Sequence, residues 1–255
     1  MTDMLARGRW LLNRSRTLAL LAELAAAPSG DDRSLYLPAG LAPARAGEAL
    51  RAIFPEDDMP EGLAAAVTAA PSGAAFFGNR ERCWLVAPYL PVREDFFSRG
   101  RDTRPLRELL LREWRLALVL VRLGAYAIGV YRGEQMLSSK TGTGLVHGRH
   151  KKGGSSAPRF RRHREKQIET FLSRVCQHIR EQLEPEAATL DYLVDGGART
   201  TLLLLEKKCP LLERFASRRL PPLLDIPAPR RATLEAAFGR VWSSQVTEWR
   251  REKHD

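Results

Sequence analysis

Between His147 and Lys166 the chain sets Gly153, Gly154, Ser155 and Ser156 among eight cations: Arg149, Lys151, Lys152, Arg159, Arg161, Arg162, Arg164 and Lys166. Glu165 is the only acid in this stretch, which therefore carries +7 of the formal net charge of +11. Glycines let backbone N–H groups approach a ligand closely and take positive φ. Adjacent amides can form a nest that holds an anion or a water. Basic residues on both sides can clamp phosphates. A run of one charge sign repels itself until a polyanion neutralises it, and phosphate backbones do so with release of counterions. Arg149, Lys151, Lys152, Arg159, Arg161, Arg162 and Arg164 are thus candidate RNA-phosphate ligands. Phe160, set among arginines, is the candidate for stacking on a base. A Gly-Ser linker is the plainer explanation. A linker normally separates domains, however, and this segment lies between a sheet and the helix that should pack on it.

Other constellations are weaker. His147, His150 and His163 are near enough in sequence for a metal site, but on a basic arm they read better as further RNA contacts; no metal or cofactor is expected. "GTGLVHGRHK" lacks the Gly-Lys-Ser/Thr ending of a nucleotide loop. Asp191 and Asp195 flank a strand and read as an edge acid and a turn acid rather than a nuclease pair. No Ser-His-Asp arrangement is recognisable. Tyr126 and Tyr131 are expected in the core. Cys83, Cys176 and Cys209 are odd in number and far apart, with no C-x-x-C pair, so they read as reduced cysteines.

The elements that must position the loop are legible from periodicity. "LALVLVRLG" and "AYAIGVYRG" are apolar, β-rich and joined at Gly124, with "EQML" as a third strand, so they predict the centre of a sheet. From Ser138 to about Arg164 apolar periodicity is lost, which predicts a long functional loop, mobile in the absence of RNA. Glu165–Leu183 reads as a helix with Ile168, Phe171, Leu172, Val175 and Ile179 on its apolar stripe. "TLDYLVDGG" reads as a buried strand, and "ARTTLLLLEKK" as a helix broken at Pro210. "PPLLDIPAPRR" reads as a connector, and "ATLEAAFGRVWSSQVTEWRRE" as a final helix. Upstream, the patterns predict strands at Ser34–Gly40, Ala74–Phe77 and Cys83–Ala87. Helices are predicted at Ala44–Ile53, after Gly62, and from Thr103 to Trp114 with Pro105 in the first turn.

At the N-terminus, Arg7, Arg9, Arg14 and Arg16 precede an apolar stretch interrupted by Glu23. Trp10, Leu11, Leu18, Leu21, Ala22 and Ala25 fit one helical face, so an amphipathic helix is preferred to a secretory signal. No segment approaches the roughly 18 apolar residues of a membrane span. With 255 residues, 44% of them hydrophobic, the chain can bury a sizeable core as one large or two small domains.

"HKKGGSSAPRFRRHRE" resembles the catalytic loop of the Vms-like release factors (the VLRF family), whose superfamily includes the middle domain of the eukaryotic class-one termination factor. "SLYLP", "RPLRELL", "LDYLVDGG" and "DIPAPRRATLEAAFGRVW" are also similar; the likeness covers Arg104–Arg251 well and the first hundred residues loosely. The resemblance implies a fold: α/β, a mixed sheet with flanking helices in an RNase H-like release-factor core, here residues 104–255 with the basic loop 138–164, plus a smaller α+β N-terminal region, 1–103. It implies an activity, release of nascent chains from peptidyl-tRNA stalled on the large ribosomal subunit, by ester hydrolysis or cleavage near the tRNA 3′ end. The partners implied are the large subunit, its rRNA and peptidyl-tRNA, for a cytoplasmic protein that is monomeric off the ribosome and makes no membrane contact. The family loop carries a glutamine that positions the nucleophile. Here no glutamine lies between Gln135 and Gln167, and Ser155 or Ser156 stands at that place. A serine hydroxyl can hold a water but reaches less far than a carboxamide. Gly153, Gly154, Ser155 and Ser156 are therefore the candidate catalytic residues of a peptidyl-tRNA hydrolase. The alternative is a ribosome- or RNA-binding factor that has lost catalysis with the glutamine.

Overall fold

The computed structural model describes residues 4–27, 29–55, 58–93, 95–148 and 157–252. In chain order the elements are β1 (Met4–Leu12), α1 (Arg14–Ala26), β2 (Arg33–Leu37), α2 (Pro43–Arg51), α3 (Leu63–Thr68), β3 (Ala74–Gly78), β4 (Arg82–Pro88), β5 (Phe96–Arg99) and α4 (Arg104–Leu111). There follow β6 (Arg115–Arg122), β7 (Ala125–Arg132), β8 (Gln135–Thr143), α5 (Ala157–Leu183), β9 (Tyr192–Gly197), α6 (Arg199–Lys208), a 3₁₀ segment (Pro210–Arg218), β10 (Arg219–Leu224), α7 (Arg231–Val241) and β11 (Ser244–Arg251). The chain divides into two compact units, Glu113–Phe238 and the chain up to Arg112 together with the segment from Gly239 onward. The sequence placed a boundary between Thr103 and Arg104. The compact units instead keep α4 with the first unit and return β11 to it.

The first unit is built on a six-stranded antiparallel sheet, ordered β1-β11-β4-β3-β2-β5. Alternation along its strands supplies two cores. Leu35, Leu37, Phe76, Leu85 and Trp249 pack with Leu50 of α2 and Leu63 of α3, while Tyr36, Phe77, Trp84 and Val246 pack with Leu21 of α1 and Leu106 of α4. The expected N-terminal helix is corrected here. Trp10 and Leu11 belong to strand β1, and the helix starts only after Asn13, whose side chain accepts the Arg16 N–H at 3.0 Å. Leu21 and Leu24 are the buried pair, not Ala22 and Ala25. The end of the chain is corrected likewise: α7 stops at Val241 and "SQVTEWRR" is strand β11, paired with β1 and β4. Both misreadings have one cause. The partner of β1 lies at the far end of the chain, where no local period reveals it.

The second unit carries a five-stranded sheet ordered β10-β9-β6-β7-β8. β7 is antiparallel to β6 and β8, whereas β9 and β10 run parallel to β6. This three-two-one-four-five order, with the second strand reversed, is the mixed RNase H-like arrangement. β6 is covered on both faces, which is why its sequence is a continuous apolar run. Ala117, Val119 and Val121 face Val175 and Ile179 of α5 and Leu205 of α6. On the other face of the sheet, Phe238 of α7 stacks on Tyr131 with 3.9 Å between ring centroids. The exit of β9 needs its glycine: Gly197 has φ +117°, and a Cβ there would lie 2.0 Å from the Val121 carbonyl oxygen. β10, expected as a connector, is an edge strand whose Pro221 and Pro222 are tolerated because an edge needs fewer ladder donors.

The stretch 138–164, expected as irregular, is strand as far as Thr143 and helix from Ala157. Gly142 and Thr143 pair with Tyr126 and Ala125, so expected mobility does not extend to them. Cys176 of α5 and Cys209, just after α6, form a disulfide with Cα atoms 5.3 Å apart, and only the buried Cys83 is a free thiol. A separation of 33 residues hid the fact that α5 and α6 lie side by side.

The disulfide is directly countable. Thiol titration of the unfolded, unreduced protein should find one thiol per chain. Reduction, or Cys176→Ala with Cys209→Ala, should lower unfolding stability by roughly 2–4 kcal/mol, read from denaturant midpoints. Three thiols, or no loss on reduction, would contradict the pairing.

Candidate nucleic-acid interface

α5 is a 27-residue helix with two different halves. Its later turns bury Phe171, Leu172, Val175, Ile179 and Leu183 against the sheet. Each such side chain contributes roughly 1.5–3 kcal/mol relative to exposure, as an upper bound. Its first turns bury nothing comparable. Arg159, Phe160, Arg161 and Arg162 are exposed, and Arg164 is half-buried. Pro158, the second residue of the helix, has a φ suited to a first turn. No acid occurs in that turn. Helix N-termini carry partial positive charge and favour anions. Arginines there oppose the dipole and one another, an arrangement that a bound polyanion would relieve on both counts. Arg161 has one internal counter-charge, Glu165, one turn on at 3.9 Å.

The chain entering this region is held down by α5 itself. Arg164 Nε donates to the His147 carbonyl at 2.9 Å, and the His147 N–H donates to Gln167 Oε1 at 3.1 Å. Gln167 was not singled out in the sequence. Its signal was its place one turn after Arg164 on the same face. The glycines before it, read as a faint nucleotide loop, are close-approach residues. A Cβ on Gly142 would sit 2.3 Å from Tyr126 Oη, and one on Gly144 would sit 2.7 Å from the Phe171 ring. Strand β8 therefore leaves the sheet flush against the root of α5. Tyr126 and Tyr131 are core residues, as expected, each 2% exposed, and the Tyr126 hydroxyl bonds His178 Nδ1 on α5.

The predicted residues divide cleanly. Arg159, Phe160, Arg161, Arg162 and Arg164 are brought together on the first two turns of α5. Arg149, Lys151, Lys152, Gly153, Gly154, Ser155 and Ser156 lie outside the described residues, as does His150. The rings of His147 and His163 are 6.2 Å apart. Among the described residues no group of three His, Cys, Asp or Glu is placed to hold a metal, and no helix is long and apolar enough to cross a membrane.

The two acids around β9 are structural. Asp191 accepts the Arg115 backbone N–H at 2.8 Å. Asp195 pairs with Arg219 at 3.3 Å, and Arg219 also pairs with Glu206 of α6. Asp195 Oδ1 is buried without a hydrogen-bond partner. Burial raises the Asp195 carboxyl to about 6; Arg219 opposes the shift, and Glu206 adds to it. Desolvation wins because the pair is long and Arg219 is shared. A carboxyl with its folded pKa above the ordinary value of about 3.9 binds more protons folded than unfolded. Its contribution is fully present below pH 4 and lost as pH rises to about 6. Asp195→Asn should therefore gain on the parent as pH rises from about 4 to 6.5, with a constant difference above that, in denaturant midpoints. A pH-independent difference would contradict this.

A family model described as the Actinobacteria/chloroflexi VLRF1 release factor matches residues 114–247. Peptide chain release factor subunit 1 of Pyrococcus abyssi (strain GE5 / Orsay) is 29% identical over 129 residues, covering 49% of this chain and 31% of that protein. The protein of the same name from Thermococcus sibiricus (strain DSM 12597 / MM 739) is 31% identical over 124 residues, covering 47% and 30%. The chain thus spans about a third of the length of these relatives. The crystal structure of archaeal translation termination factor aRF1 aligns with 90% of this chain and 70% of its own, at a TM-score of 0.41 and 20% identity.

Proposed function

The chain belongs to the Actinobacteria/chloroflexi VLRF1 release-factor family, and from that premise we propose that it frees nascent chains from peptidyl-tRNA on stalled large ribosomal subunits. A ribosome-associated, release-factor-like role follows from the family; hydrolysis and rescue are the finer reading. The observation that carries it is the first two turns of α5. Arg159, Arg161, Arg162 and Arg164 are gathered at the helix end that follows the Gly153–Ser156 segment, with no acid in the first turn. Such an end is stable and useful when phosphates neutralise it.

In this reading rRNA and tRNA phosphates hold the arginines, together with Arg149, Lys151 and Lys152, and Phe160 stacks on a base. Gly153 and Gly154 bring backbone amides near the ester carbonyl. Water attacks the carbonyl carbon, the amides stabilise the resulting oxyanion, and the tRNA terminal hydroxyl leaves with a proton. Ser155 or Ser156 accepts a hydrogen bond from that water and orients it. Proximity and fixed donors supply much of such catalysis, so loss of the carboxamide need not abolish it. The work is cytoplasmic, because the substrate is the ribosome. One observation favours a second reading: no glutamine occurs between Gln135 and Gln167. A chain that binds the subunit without releasing peptide would be a non-catalytic factor.

The test is incubation of the full chain with purified large subunits carrying peptidyl-tRNA, with both peptide and tRNA 3′ end analysed. Release of peptide with an intact 3′ end is the expected result. Peptide left on a shortened tRNA fragment would assign cleavage instead. Binding without release would move the chain to the second reading. Arg159→Glu with Arg161→Glu and Arg162→Glu should weaken association about tenfold or more at 0.1 M salt. Unchanged affinity would remove the arginines from the interface.

A further inference from the structure

α5 has a second cationic feature below its first turns. An open cavity of about 360 Å³ lies between the exit of β8 and one face of the helix. The helix contributes His163, Lys166, Thr170 and Arg174, at spacings of three and four that put them on one side. The exit of β8 contributes Gly144 and Leu145, with Phe171 as the apolar floor. Gly144 matters, because a Cβ there would press on the Phe171 ring. No carboxylate lines the groove. The neighbouring acids of α5 are engaged elsewhere, Glu165 toward Arg161 and Glu169 with Lys208 at 2.7 Å. Arg174 donates to the Thr143 carbonyl at 3.3 Å, which orients its guanidinium beside the strand exit.

The stripe continues the arginine turns. Arg159, Arg162, Lys166, Thr170 and Arg174 follow one another at three- and four-residue steps, a run of about 22 Å along the helix axis. That is too long for one small anion and suits a chain of phosphates. We infer that this groove holds a backbone phosphate of the same RNA strand that the first turns of α5 engage, with the adjoining ribose against Leu145 and Phe171. The inference rests on the proposed function and adds a contact at the root of the arm. Lys166 and Arg174 supply charge, and Thr170 donates a hydroxyl hydrogen bond to a phosphate oxygen.

The test compares the parent chain with Lys166→Ala/Thr170→Ala/Arg174→Gln, whose three side chains are exposed, in binding to purified large subunits across a potassium chloride series. Circular dichroism and denaturant midpoints check the fold. Affinity should fall several-fold, and the slope of log K against log salt should become shallower by about 1 to 2, one phosphate per cation lost. Lys166→Arg should keep the parent slope. An unchanged slope in the triple variant, while the parent binds and Arg159→Glu/Arg161→Glu/Arg162→Glu does not, would overturn the groove alone. Failure of the parent to bind would overturn the function on which it rests. Tight binding of inorganic phosphate to the isolated chain, with no change in slope, would assign the groove to a free anion and overturn it too.

Discussion

Like charges gathered at the positive end of a helix dipole are the constraint to which the second unit is built. Arg159 and Arg162, Arg161 and Arg164, and Arg162 and Lys166 are all pairs at helical neighbour spacing. Each such pair costs an isolated helix about 0.2–0.5 kcal/mol. Only Arg161 has a carboxylate near it among the described residues. The helix persists because its later turns are anchored elsewhere. Phe171, Leu172, Val175, Ile179 and Leu183 are buried, and Cys176 is tied covalently to Cys209. Stability is thus made at one end of α5 and spent at the other, where an unbalanced charge can meet a polyanion.

Direction is set at the same root. The chain leaves β8 over two glycines whose missing side chains let it lie on Tyr126 and Phe171. It is then fixed to the helix through His147, Arg164 and Gln167. The two ends of the Gly-Gly-Ser-Ser segment are therefore referred to a rigid element rather than to each other. For chemistry that depends on the placement of backbone amides, that reference is what a long helix packed on a sheet can supply.

Much of the second unit was legible in the sequence. "LALVLVR" and "AYAIGVYR" are read as buried central strands, and the Ile168–Ile179 stripe as a sheet-packed helix, because local periods carried that information. The arginines of α5 were legible as a site because their charge is concentrated in one place. Four things were not. Helix α5 reaches back through Arg159–Arg164, where no apolar stripe marks it. β10 carries two prolines that a central strand would exclude and an edge strand accepts. β1 and β11 pair from opposite ends of the chain. The Cys176–Cys209 link depends on α5 lying beside α6. Each of these is a property of long-range packing. The groove at Lys166 and Arg174 was hidden for the same reason, since its far wall comes from Gly144 and Leu145.

The most direct test of the account is a cryo-EM reconstruction of the full chain on a large subunit carrying peptidyl-tRNA. The account predicts the first turns of α5 against rRNA or tRNA phosphates, with Gly153–Ser156 at the ester in the peptidyl-transfer cavity. A complex in which the arginines of α5 face solvent, or in which another surface of the chain holds the subunit, would contradict it.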